Sequence, residues 1–326
     1  MPPTNPLAMG SHSIMIDGIE QRYHIAGRGP LCIVHPGRGI DWSYLEMRSI
    51  EQQHLTMLYI EPIGTGASGR LAEHPKGYTV ERYCQQLKGI VDALDLSGFF
   101  LLGHAFGGFV VQQYAIAYPE RIAGLIIYSS SAVTGPEFMT EASQNIAAFT
   151  QREAGSPEAE EVAQAWASIS RVASDEDYTQ NLQRLLPVYF ADHRAAGAAF
   201  HELCSTLRAN FVIGDGKPFD VRQALPSLRV PTLILAGEHD FTCGPKWAEI
   251  LRGVFTNSQM VIFRNSGHMA HIEQSNEFAG IIGAFVFRHR PGRTSRPPLD
   301  GKPTDLSNSR GRTCVLPFHL SCSHCC

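Results

Sequence analysis

A doubly wound, mostly parallel α/β sheet with an inserted helical cap is the fold this sequence predicts, on three observations. Short apolar runs alternate with segments whose apolar residues recur every three or four positions, the pattern of strands joined by helices. One such run, Phe99 to Leu102, feeds straight into Gly103-His104-Ala105-Phe106-Gly107-Gly108, the layout of a sharp strand-to-helix turn. Finally, residues 135–225 carry helical periods and no strand-like run, which marks them as an insertion between two parts of one sheet, 13–134 and 226–288.

Residues 1–12 are rich in Pro, Ser and Gly and are expected to be unordered, with structure starting near Ser13. Alternating apolar residues from Ile14 to Ile25, interrupted by Asp17-Gly18, predict a hairpin. Leu31-Cys32-Ile33-Val34 is a short buried strand that runs into His35-Pro36-Gly37-Arg38-Gly39, and Leu55 to Ile60 is the next strand. From Thr79 to Leu94 the residues Val80, Tyr83, Cys84, Leu87, Ile90, Val91 and Leu94 line one face of a helix. The helix after the turn ends before Pro119, and Gly124 to Tyr128 is a strand. Within the cap, Trp166 and Ile169, Leu182 and Leu186, and Phe200 and Leu207 fall in three separate helical pieces. The sheet resumes at Thr232 to Ala236 and Gln259 to Phe263, and a last helix covers about Asn276 to Phe287. Beyond Arg288 the composition turns to Arg, Pro, Gly and Ser, so residues 289–326 are expected to form an unordered tail.

Composition narrows the function. A chain of 326 residues, 44% hydrophobic, buries one large core without needing a second domain. A formal net charge of -4 with no basic run gives no surface for nucleic acid. No apolar stretch is long enough to cross a bilayer, and the first residues lack a signal-peptide pattern, so the expectation is a cytoplasmic protein acting on a small molecule. Four of the eight cysteines crowd the last thirteen residues with His319 and His324, but adjacent cysteines without paired spacing do not predict a metal site. The glycines of 64–66 and 103–108 form no dinucleotide fingerprint, and no cofactor is expected.

Three segments carry a resemblance to the α/β-hydrolase fold superfamily over about residues 13–288, and within it to the proline iminopeptidase branch. His35-Pro36-Gly37-Arg38-Gly39 is close to that branch's His-Gly-Gly-Pro-Gly. Glu61-Pro62-Ile63-Gly64-Thr65-Gly66-Ala67-Ser68 is similar to its Asp-Gln-Arg-Gly-x-Gly-x-Ser, and Tyr78-Thr79-Val80-Glu81 follows. Gly103 to Gly108 differs from a common family form only by alanine where the reactive serine stands. The resemblance implies a catalytic set in the chain order nucleophile, acid, histidine, each at the carboxyl end of a strand. Ala105 then holds the nucleophile position, Asp240 the acid and His268 the base, with Glu238 and His239 as the nearest competitors. It also implies an oxyanion hole formed by the backbone N–H groups of Gly37 and Phe106.

Aminopeptidases of that branch hold a free amino terminus with cap carboxylates, often within Trp-x-x-Trp-Glu, whereas Trp166-Ala167-Ser168-Ile169-Ser170 has neither the second Trp nor the Glu; Glu202 is the remaining carboxylate considered. Aromatic cap residues, Trp166, Tyr189 and Phe190 foremost, are expected to bind an apolar substrate. The resulting expectation is an ester, lactone or amide hydrolase whose nucleophile is replaced by Ala105, inactive or substrate-trapping. Two alternatives stay open: a nucleophile-less enzyme using Asp240 and His268 as a general-base dyad, of the cofactor-independent oxygenase or lyase type, and a non-catalytic ligand sensor.

Overall fold

The computed structural model describes residues 5–51 and 55–291. Eight strands form one sheet in the order β1-β2-β4-β3-β5-β6-β7-β8. They are β1 (Gly10–Ile16), β2 (Ile19–Gly27), β3 (Leu31–His35), β4 (Thr56–Glu61), β5 (Phe99–His104), β6 (Ile122–Tyr128), β7 (Thr232–Gly237) and β8 (Ser258–Phe263). β1 and β2 pair antiparallel, β2 runs antiparallel to β4, and every pairing from β4 to β8 is parallel. Asp17 and Gly18 turn the hairpin with φ of 51° and 79°, the left-handed pair that a two-residue loop between twisted strands requires.

The sequence expectation placed the start of structure near Ser13, but β1 begins at Gly10, which pairs with Ile25, and Tyr23 Oη donates to Pro6 O at 3.0 Å. The polar residues Ser11 and His12 conceal this edge strand because its backbone ladder, rather than apolar burial, holds it. The expectations for residues 1–4 and for the tail from Gly292, its cysteines included, lie outside the described residues.

The helices are α1 (Arg48–Glu51), α2 (Val80–Ala93), α3 (Phe106–Ala117), α4 (Pro136–Arg152), α5 (Pro157–Ser168), α6 (Asp175–Leu185), α7 (Gly197–Thr206), α8 (Pro245–Val254), α9 (Ala270–Glu273) and α10 (Ser275–His289). Thr79 caps α2, its side chain accepting from Arg82 N at 3.2 Å. Apolar residues from both faces of the sheet are buried, with Ile33, Leu101 and Ile127 facing one way and Val34, Leu102 and Ile126 the other. Helices α4 to α7 make up the region between β6 and β7, where Ile146, Phe149, Val162, Leu185 and Val188 pack with Phe241 in a cluster of their own. The carboxyl ends of β3, β5, β7 and β8 thus open beneath a helical cover, the location where parallel sheets hold ligands.

Candidate active site

Between β5 and α3 the chain turns at Ala105, whose φ of 51° and ψ of -119° lie in a region that side-chain-bearing residues rarely adopt. The turn requires small neighbours. A Cβ at Gly107 would overlap the carbonyls of His35 and Pro36, and one at Gly103 would overlap the Gly107 carbonyl. Ala105 N donates to Tyr128 O at 3.1 Å and Ala105 O accepts from Gly108 N at 2.9 Å, so neighbouring backbone over-determines the strained residue. The turn therefore holds the Ala105 methyl group at the cavity, at the position where the sequence resemblance expects a nucleophile.

Asp240, in the loop after β7, is buried and accepts from the backbone N–H groups of Thr242 (3.0 Å) and Cys243 (2.9 Å) through Oδ1. Its Oδ2 accepts from His268 Nδ1 at 2.8 Å. Burial alone would raise this carboxyl, but His268 and the two amides outweigh it and hold the group below the ordinary carboxylate range. With the proton of His268 on Nδ1, Nε2 keeps its lone pair, the tautomer a general base needs. The loop carrying His268 is fixed from the cap: His268 N donates to Tyr189 O at 2.7 Å, and the Tyr189 ring stands edge-on to the imidazole at 5.2 Å between centroids.

Glu273 secures the same loop. Its Oε2 accepts from Gly267 N at 2.7 Å and its Oε1 from Ala191 N at 2.8 Å, so one carboxylate ties the histidine loop to the cap segment after Tyr189. Burial pushes its pKa up to about 7, against the opposing pull of those amides.

A cavity of about 230 Å³ joins these parts, lined by Gly37, Ala105, Phe106, Tyr189 and His268 among others. Most of its further wall is apolar or aromatic, including Ile40, Phe109, Phe138, Leu182 and Leu186, with Arg38 and Thr242 among the polar residues on it. Glu238 and His239, the competing acid and base, are exposed, and Glu202 lines a different cavity with Ser43 and Arg48.

Three sequence expectations are corrected here. Trp166 does not line the cavity: it packs edge-on to Phe241 at 6.2 Å, and its Nε1 donates to Ser143 Oγ at 3.3 Å. Phe190 is buried against Phe200 at 5.3 Å rather than facing the cavity. Both serve the packing of the cap, which needs large apolar side chains to bury its own helices. Gly37 does line the cavity, but its N–H already donates to Tyr44 Oη at 2.8 Å, leaving the Phe106 N–H at the start of α3 as the donor that the helix itself does not use.

Tyr44 and His104 were missed from the sequence. Because Tyr44 Oη accepts from Gly37, its own proton goes to His104 Nδ1 at 2.8 Å, and His104 Nε2 donates to His268 O at 3.1 Å. Tyr128 Oη also donates to His268 O, at 3.0 Å, and His271 Nε2 donates to Tyr44 O at 2.8 Å. Burial and the neighbouring His268 and His271 hold His104 well below the usual histidine value, so the chain of hydrogen bonds is neutral. His104 had a signal, its place beside Ala105; Tyr44 lies sixty residues away with none.

Fold and site together define an α/β hydrolase: residues 29–275 match the alpha/beta hydrolase fold family, and the chain belongs to it. Its curated relatives include hydrolases of two kinds. It is 23% identical over 290 residues to a proline iminopeptidase of Lactobacillus crispatus, covering 83% of this chain and 96% of that one. It is 27% identical over 289 residues to the 2-hydroxy-6-oxo-2,4-heptadienoate hydrolase of Pseudomonas putida, covering 87% and 98%. Among solved structures, a serine-to-alanine mutant of the meta-cleavage product hydrolase of Pseudomonas fluorescens, complexed with acetates, superposes with a TM-score of 0.60 at 17% identity, covering 85% and 97%. No helix among the described residues is long and apolar enough to cross a membrane.

Proposed function

We propose that this chain is a serine-hydrolase scaffold for an ester, lactone or amide of a medium-sized, largely apolar molecule, one that binds its substrate and does not turn it over because Ala105 has no nucleophile. The observation that carries this reading is His268, which lines the same cavity as the elbow and is hydrogen-bonded through Nδ1 to the buried Asp240 at 2.8 Å, the tautomer of a general base. A hydroxyl placed at position 105 would give its proton to His268 Nε2 while its oxygen attacks the substrate carbonyl. The oxyanion would receive a hydrogen bond from the Phe106 N–H. Collapse would break the bond to the leaving group, which takes the proton from Nε2, and water would then release the acyl group by the same steps in reverse. In the chain as it stands no acyl bond forms at Ala105.

The relatives support the hydrolase class and divide over the substrate. Of the two, the aminopeptidase chemistry fits this cavity less well, since among the described residues no acidic side chain lines it to hold an ammonium group. The test is Ala105→Ser assayed on aryl esters, lactones and amino-acid arylamides. Hydrolysis of an ester or lactone at a rate on the order of 10³-fold or more above the unaltered chain supports the reading. A folded variant inert toward every member of the panel overturns it.

One observation favours a second reading, in which alanine is the working residue and the dyad removes a proton from a bound ligand: Tyr44 occupies the Gly37 N–H that an oxyanion hole would use. Under it, the unaltered chain exchanges an acidic C–H of a bound carbonyl compound with deuterated solvent, and His268→Ala abolishes the exchange.

A further inference from the structure

Arg38 stands where the resembling branch has proline, on the loop between β3 and the elbow cavity. That loop is anchored on the cap, since Gly39 O accepts from Asn210 N at 2.6 Å and Ile40 bridges Ala209. The exposed Arg38 side chain has no ion-pair or hydrogen-bond partner among the described residues, and its guanidinium lies over the Phe106 ring at 5.0 Å from the centroid. Arg38 lines the elbow cavity and also the adjoining groove formed with Tyr78, Thr79 and Gly214. Among the described residues it is the one side chain with a permanent charge on the elbow cavity wall. Lys217, which also lines the groove, is paired with Asp215 at 3.2 Å.

We propose that Arg38 is an anion subsite and that the ligand of this cavity carries a carboxylate at the end remote from its reacting carbonyl. A planar fork of N–H groups matches a carboxylate in two-pronged fashion, and the Phe106 ring beneath the guanidinium holds it at the cavity wall. One unpaired cation suits a monoanion rather than a phosphate monoester, which calls for a second. The apolar walls take the body of the molecule between the two ends. This inference deepens the hydrolase reading by naming a substrate class, and it rests on that reading only for where the reacting carbonyl sits.

The test uses the unaltered chain and a ligand pair of equal shape, 4-phenylbutyrate and 4-phenylbutyramide, titrated calorimetrically at low salt. The carboxylate is expected to bind about tenfold more tightly, an advantage that shrinks with added salt. Arg38→Gln is expected to erase the difference while leaving amide affinity unchanged, and Arg38→Lys to keep part of it. Equal affinities, no measurable carboxylate binding, or a preference that survives Arg38→Gln overturns the proposal. A hydrolysis arm separates the two readings. If Ala105→Ser cleaves neither a neutral nor a carboxylated aryl ester while Arg38-dependent carboxylate binding persists, the hydrolase reading fails and the anion subsite stands.

Discussion

Ala105 keeps a positive φ that costs an alanine on the order of 1–3 kcal/mol and receives no catalytic return from its methyl group. The surrounding residues behave as though a nucleophile were there: Asp240 is buried, charged and satisfied, and His268 is oriented through Nδ1. In the Ala105→Ser background, Asp240→Asn is expected to lower turnover about 10⁴-fold with little change in KM, because the imidazole loses its required tautomer. Steady-state kinetics on the best ester of the panel checks this, and a loss under tenfold would contradict the role assigned to Asp240. At this scale the sequence was legible where chemistry fixes position. Asp240 and His268 follow strands immediately, whereas Tyr44 reaches the site only through the folded packing of His104. Trp166 and Phe190 were misplaced because an aromatic residue in a cap reads the same whether it faces ligand or neighbouring helix.

The elbow, the histidine loop and the cap segment after Tyr189 work as joined elements. Gly107 lets α3 approach the carbonyls of His35 and Pro36, so Gly107→Ala is expected to cost about 2 kcal/mol or more in urea unfolding. Wild-type stability in that variant would contradict the close approach. Glu273 links the loop to the cap, and its pKa rises from 4.5 to about 7 on folding. The folded state therefore retains a proton that the unfolded chain releases. Its contribution is full below about pH 4.5 and is lost as pH rises through 7. Relative to the unaltered chain, Glu273→Gln is expected to lose Tm at pH 5 and to narrow that gap towards pH 8, and a difference independent of pH would show that the carboxyl does not titrate there. Neither this link nor the N-terminal end of β1 was visible in the sequence, since both depend on backbone groups meeting across long separations.

Across the whole molecule, the buried histidines set the acid limit. His35 and His271 are lowered from 6.5 to about 4 by burial, and burial holds His104 well below the usual histidine value as well. Between those values the unfolded chain takes up protons that the folded chain refuses, so stability falls as the pH drops through that window. Going from pH 7 to 5 is expected to remove roughly 2 kcal/mol for each of His35 and His271, more in sum than Glu273 returns. Urea unfolding at the two pH values checks the sign, and greater stability at pH 5 would contradict it. The architecture itself was legible because strand and helix periods alternate so regularly from β3 to α10, and because Asp17-Gly18 fixes the hairpin. What the sequence could not convey was which side chains share the cavity. The central claim, the proposal that this cavity is a serine-hydrolase site with alanine in the nucleophile position, is met most directly by intact-mass measurement after exposing Ala105→Ser to an aryl fluorophosphonate. One covalent adduct is expected, on the introduced hydroxyl, absent from the unaltered chain and from Ala105→Ser combined with His268→Ala. A folded Ala105→Ser protein that acquires no adduct would contradict the claim.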